Sequence, residues 1–155
     1  MVMDANTDTR TRELTITRTF DAPRALVFKM WTEPEHMARW WGCDQTCNNK
    51  IRNDLRVGGA IRSEMTLEDG TLHVVVGKYL EIDEPERVSF TWDWENGGLG
   101  SETVVTVTLE EVDGKTRMTM VHALFDTTEL RDLHGEGWTM SLSRLEAYLP
   151  KVAAG

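Results

Sequence analysis

The sequence predicts an α+β fold in which a curved antiparallel sheet of seven strands wraps a long C-terminal helix, in the order β-α-α-β6-α. Three observations carry this. Asp126–Pro150 reads as one long amphipathic helix. From residue 43 to 125, strand-like runs follow one another with short turns between them, as in an antiparallel meander. A first strand precedes them, separated from the meander by two short helices in tandem.

The first strand lies in 12–20, where Leu14 and Ile16 alternate and Thr17–Phe20 follow by drift. Asp21-Ala22-Pro23 stops it. Pro23 suits the first turn of a helix whose apolar face is Leu26, Val27, Met30 and Trp31. Thr32 can cap a second helix, with Glu35 three residues on and Pro34 inside the first turn. Met37, Trp40 and Trp41 follow, and Gly42 ends it. The meander then runs through Cys43–Val57, Ala60–Leu67, Thr71–Ile82, Arg87–Trp94, Ser101–Glu111 and Lys115–Phe125. Gly58-Gly59, Glu68-Asp69-Gly70, Asp83-Glu84-Pro85, Asn96-Gly97-Gly98 and Asp113-Gly114 punctuate it.

The last helix has the clearest signals. Asp126 or Thr127 can cap it, Glu129 completes a capping box, and Pro150 stops it. At 1.5 Å per residue it reaches about 35 Å, enough to cross a whole sheet. Its apolar stripe includes Leu130, Leu133, His134, Trp138, Leu142, Leu145 and Leu149, but Gly137 and Ser141 interrupt the middle. A glycine inside a helix costs about 1 kcal/mol relative to alanine. Close packing or room for a ligand are the two features that could offset it.

At 155 residues the chain is read as one domain over 12–150, with tails at 1–11 and 151–155. A chain of this size buries roughly 70% of its unfolded surface, enough for a substantial core. No apolar run approaches the ~18 residues that cross a bilayer. The opening MVMDANTDTR has neither the basic start nor the apolar stretch of a secretory signal. Net charge is −9. Residues 1–62 hold ten Lys/Arg against eight Asp/Glu, and the rest hold seven against eighteen. The acidic part repels phosphates and the small basic excess cannot drive counterion release, so neither nucleic acid nor membrane is expected as a partner.

The two cysteines, Cys43 and Cys47, would lie about 13 Å apart in an extended run at ~3.3 Å per residue. A disulfide between them needs a turn. A zinc site would need two more ligands, with His36 the nearby candidate. Structural or free thiols are the preferred reading, with no metal and no cofactor. Reduced thiols without a signal point to the cytoplasm.

The order of elements, together with specific strings, resembles the START-like helix-grip superfamily. Within it the chain resembles the branch named after the activator of the heat-shock-chaperone ATPase. The strings are Thr19-Phe20-Asp21-Ala22-Pro23-Arg24, Val27-Phe28, Trp31-Thr32, Trp40-Trp41-Gly42 and Asp54-Leu55-Arg56-Val57-Gly58-Gly59. They continue with Gly77-Lys78-Tyr79-Leu80-Glu81-Ile82, Pro85-Glu86-Arg87-Val88-Ser89-Phe90-Thr91-Trp92, Val105-Thr106-Val107-Thr108-Leu109 and Gly137-Trp138. The resemblance covers about residues 12–150 and implies a deep pocket between sheet and last helix. Carried over residue by residue, its lining would include Trp41, Met65, Tyr79, Phe90 and Trp92, then Trp94, His122, Trp138 and Leu142. Relatives carry two bulky aromatics on the strand after Gly58-Gly59, where this chain has Ile61 and Ser63. Ile61, Ser63 and Met65 share a face by alternation. If that face points inward, the cavity is wider or more polar at that wall.

These features predict a binder of a small apolar molecule, with His122 and Ser141 as polar anchors. Six tryptophans fit either a stack for a planar ligand or plain core packing. His122 and His134 could orient a ligand or be satisfied core residues, while His36 and His73 read as surface. No residue is assigned as catalytic. The chain has no G-x-S-x-G, H-E-x-x-H or phosphate loop, and Gly98-Leu99-Gly100 falls in a strand-to-strand turn. A cyclase- or dehydratase-like use of Tyr79, His122 and Glu64 is a third reading. The second is an interaction module with a filled core. Its acidic segment Glu81–Glu95 would dock a basic partner, and its partners would be a chaperone or a second copy as a homodimer. Eukaryotic activators carry a further domain, for which this chain leaves no room.

Overall fold

The computed structural model describes residues 12–42, 46–95 and 100–154. The elements are β1 (Leu14–Phe20), α1 (Arg24–Thr32), α2 (Pro34–Trp40), β2 (Thr46–Asn53), β3 (Ala60–Leu67), β4 (Leu72–Asp83), β5 (Arg87–Trp94), β6 (Thr103–Val112), β7 (Lys115–Ala123) and α3 (Thr128–Ala154). The expected order of seven strands and three helices therefore holds. The strands form one antiparallel sheet, β1-β7-β6-β5-β4-β3-β2. The tail 1–11, Cys43 and the glycine turn at 96–99 lie outside the described residues.

Each strand turns alternate side chains to the concave face. Val105, Val107 and Leu109 come from β6, Met118, Met120 and His122 from β7, and Phe90 and Trp92 from β5; all are buried. Ile61, Ser63 and Met65 of β3 also point inward. The curvature has local causes. Register shifts between Thr46 and Asn48 and between Tyr79 and Glu81 bend β2 and β4. Near the second bend a Cβ on Gly77 would stand 1.9 Å from the Thr91 carbonyl oxygen, so no larger residue fits where β4 meets β5. On β1 the alternation does not drift. Arg18 keeps the inward position, and its guanidinium reaches Ser143 Oγ at 3.4 Å and Glu146 at 3.5 Å on α3.

The tandem helices break at Glu33, whose extended backbone (φ −97°, ψ 119°) is what the following Pro34 imposes. Thr32 does not cap α2. It is the last residue of α1, and its hydroxyl donates to the Phe28 carbonyl at 2.9 Å. Trp40 Nε1–H donates to the Met30 carbonyl at 3.1 Å and locks the two helices together. Two β2 asparagines hold their C-terminal carbonyls: Asn53 donates to Thr32 and Asn49 to Ala38 and Trp41.

Thr127 caps α3, accepting the Leu130 N–H at 3.1 Å. Glu129 is therefore one residue too early for a capping box, and Asp126 instead accepts the Ser101 N–H at 2.7 Å. Pro150 does not stop the helix, which runs on to Ala154. Proline removes its own N–H bond and crowds the carbonyl four residues back, but Val152 packs on the core beyond it and the last turn stays in place.

Candidate functional site: a tryptophan-walled cavity

Between α3 and the β3–β5 part of the sheet lies a cavity of 340 Å³. Its walls are Trp41, Trp92, Trp94, Trp138, Met65 and Ser141, all anticipated, together with Gly42, Leu67, His73, Leu133, His134 and Gly137. Trp41 and Trp92 lie 5.7 Å apart and 17° from parallel, and Trp138 crosses Trp92 at 48°. Half-exposed Leu133 marks the mouth.

Gly137 resolves the question posed by the helix stripe. A Cβ there would meet nothing within 4 Å, so the glycine faces open space. Close packing belongs to Gly135, where a Cβ would come within 3.3 Å of Leu14 Cδ1. Ser141 joins the helix to the end of α2: its hydroxyl lies 2.6 Å from the Gly42 carbonyl and 3.0 Å from that of Gly137.

Two histidines fasten the tryptophans. Trp138 Nε1–H donates to His122 Nδ1 at 2.9 Å. An indole nitrogen only donates, so His122 carries its proton on Nε2 and gives it to Thr103 Oγ1 at 2.7 Å. Thr103 passes its own proton to the Trp92 carbonyl at 3.0 Å. Likewise Trp94 Nε1–H donates to His134 Nε2 at 2.9 Å, and His134 Nδ1–H donates to the Leu130 carbonyl at 2.7 Å. Burial, and secondarily the neighbouring His134, hold His122 well below the usual histidine range. Burial lowers His134 too. Both rings are neutral acceptors whose nitrogens are fully engaged by the protein.

Ile61, Ser63, Tyr79, Phe90, His122 and Leu142 are buried but lie away from the cavity. Trp41 covers Phe90, with ring centroids 6.3 Å apart. The β3 face does point inward, yet the cavity wall is formed by Met65 and Leu67 further along that strand. Ser63 is fully enclosed, and its hydroxyl has no hydrogen-bond partner. Tyr79 hydroxyl accepts from Asn53 at 2.8 Å, and burial pushes its ionisation up. Glu64 faces the opposite side of the sheet and pairs with Arg62 at 3.7 Å, so Tyr79, His122 and Glu64 do not converge.

His73 is not on the outer surface. Pairing opposite Met65, it turns to the cavity and meets Trp94 edge-on at 6.0 Å. Carrying the Ile61-Ser63-Met65 alternation one step further would have found Leu67, and its register partner strand would have found His73. His36 is part-buried, with Nδ1 2.8 Å from Tyr148 Oη. Among the described residues no group of three or more His, Cys, Asp and Glu could hold a metal. No helix among them is long and apolar enough to cross a membrane.

Solved structures share this architecture. A protein from Chromobacterium violaceum is 27% identical, with a TM-score of 0.80 over 88% of this chain and 95% of the other. A protein from Arthrobacter aurescens, also 27% identical, gives 0.81 over 94% and 90%. The AHSA1 protein from Silicibacter pomeroyi, 27% identical, gives 0.77 over 89% and 97%. No curated protein matches the chain. With the helix-grip architecture and the position of its cavity established, the match of residues 21–150 to the family described as activator of Hsp90 ATPase homolog 1-like protein identifies the chain as a member of that family.

Proposed function

We propose that the protein binds a small apolar molecule in the cavity between the sheet and α3. The observation that carries this is the empty space over Gly137. A helix glycine that no neighbour approaches keeps a 340 Å³ cavity open between four indoles. Leaving room there forgoes both the helix propensity of alanine and the packing of a side chain, and a guest molecule accounts for that. Such a concave, largely apolar space with a few oriented polar groups is what small-molecule sites share.

The test is Gly137→Leu, which places a side chain into the cavity. Uptake of the uncharged two-ring dye prodan should be abolished while the circular dichroism spectrum is unchanged. Equal dye uptake by a folded variant would refute the reading. The family description supports a second reading, docking to a chaperone. Native mass spectrometry of protein purified from cells separates the two: a retained small-molecule adduct favours the binder, and a co-purified chaperone without an adduct favours docking.

A further inference from the structure

Of the four indoles around the cavity, two are tethered through nitrogen. The Trp41 and Trp92 N–H groups are buried without a partner, whereas Trp138 donates to His122 and Trp94 to His134. His122 is sealed between Thr103 and Trp138. His134 itself lines the cavity, and the Trp94 it holds is only partly buried. The Trp94 tether is therefore the more accessible of the two.

His134 keeps its proton on Nδ1, given to the Leu130 carbonyl at 2.7 Å, while Nε2 accepts the Trp94 N–H at 2.9 Å. A second proton has only Nε2 to go to. There it sets N–H against N–H, and Trp94 loses its acceptor. The groups facing His134 offer the new charge no partner. From β7 comes His122, with ring centroids 5.3 Å apart, and Phe125 follows at 4.8 Å. Across Trp94, β4 brings His73, 6.0 Å from that indole. Among the described residues no aspartate or glutamate lines the cavity. Asp132 and Glu136 of α3 face a separate groove beside Leu14 and Ile16 of β1.

Occupancy and protonation then oppose each other. An apolar guest displaces water from beside His134 and raises the cost of charging it. By linkage, charging His134 weakens the guest by the same factor. Burial already lowers the His134 pKa, so the tether is made at neutral pH, and His134 takes up its proton ahead of the more deeply held His122.

We infer that the Trp94–His134 hydrogen bond is a proton-sensitive latch: neutral His134 holds the tryptophan wall against an apolar guest, and protonation at Nε2 frees Trp94 and releases the guest. This rests on the reading that the cavity is the binding site.

The experiment follows the affinity of prodan for the full chain as pH is lowered through the His134 midpoint, located by that ring's own NMR titration. Below the midpoint the affinity should fall by up to about tenfold per pH unit, as one linked proton requires, with far-UV circular dichroism unchanged. The Trp94 indole N–H resonance should shift with the same midpoint. His134→Gln, whose amide oxygen can accept an N–H without titrating, should flatten the slope, whatever its affinity at neutral pH. A wild-type affinity or Trp94 resonance that stays constant through the midpoint would overturn the latch. So would an equal slope in folded His134→Gln, or circular dichroism lost together with the dye; each of these leaves the cavity reading standing. Prodan binding Gly137→Leu as tightly as wild type, or failing to bind wild type at neutral pH, would overturn the cavity reading itself.

Discussion

Replacing Gly137 with alanine should stabilise the protein. The residue lies ten positions into a helix that runs from Thr128 to Ala154, far from either end. Alanine is favoured there by about 1 kcal/mol on helix propensity alone. The added methyl meets no atom within 4 Å, so no steric penalty offsets this gain. For a domain of this size, 1 kcal/mol corresponds to a rise in Tm of roughly 2–4 °C. Urea unfolding followed by circular dichroism should show a higher midpoint with an unchanged slope. Gly135→Ala is the control, because its methyl would press on Leu14 Cδ1 at 3.3 Å. It should gain less than Gly137→Ala, by however much Leu14 must shift. A destabilised Gly137→Ala, with Gly135→Ala unaffected, would show that the helix is held tightly at 137 and that the argument for open space is wrong.

Other consequences follow from the buried hydrogen bonds. Thr103→Val keeps the shape but strands the His122 Nε2–H and the Trp92 carbonyl, and should cost about 1–3 kcal/mol in urea unfolding. Both His122 and His134 have lowered pKa values in the folded state, so on acidification the unfolded chain takes up protons first. Their contribution to stability is present above about pH 6.5 and is lost as pH falls below it, by up to about 1.4 kcal/mol per pH unit for each ring. Their imidazole NMR titrations should have midpoints below the ordinary histidine range, and a normal titration midpoint would refute the assignment. Asn53→Ala removes donors from both the Thr32 carbonyl and Tyr79 Oη and should destabilise by about 1–3 kcal/mol. Tyr79 should ionise only above the ordinary tyrosine range, so stability falls as pH rises past about 10. Absorbance titration at 295 nm reads that ionisation.

Local periodicity was sufficient for the architecture. Alternation in Arg87–Trp94 placed Trp92 and Trp94 on one face, and the 3.6-residue repeat of the last helix exposed the gap at Gly137 and Ser141. Helix ends were less legible, because several residues could cap and the choice fell to tertiary partners. Asp126 went to Ser101, Thr32 turned back on Phe28, and Val152 kept the helix going past Pro150. The cavity depended most on what periodicity does not encode. Trp41 folds over Phe90 and removes it from the wall, while the β3–β4 register brings His73 to it. His122, a plausible anchor by position, is claimed by Thr103 and Trp138 on other elements. Repeats of two and 3.6 report which face a side chain takes relative to its own backbone. Which partner meets it across the core is set by sheet register, helix position and the shape of neighbouring rings, and these exist only once the chain has closed on itself.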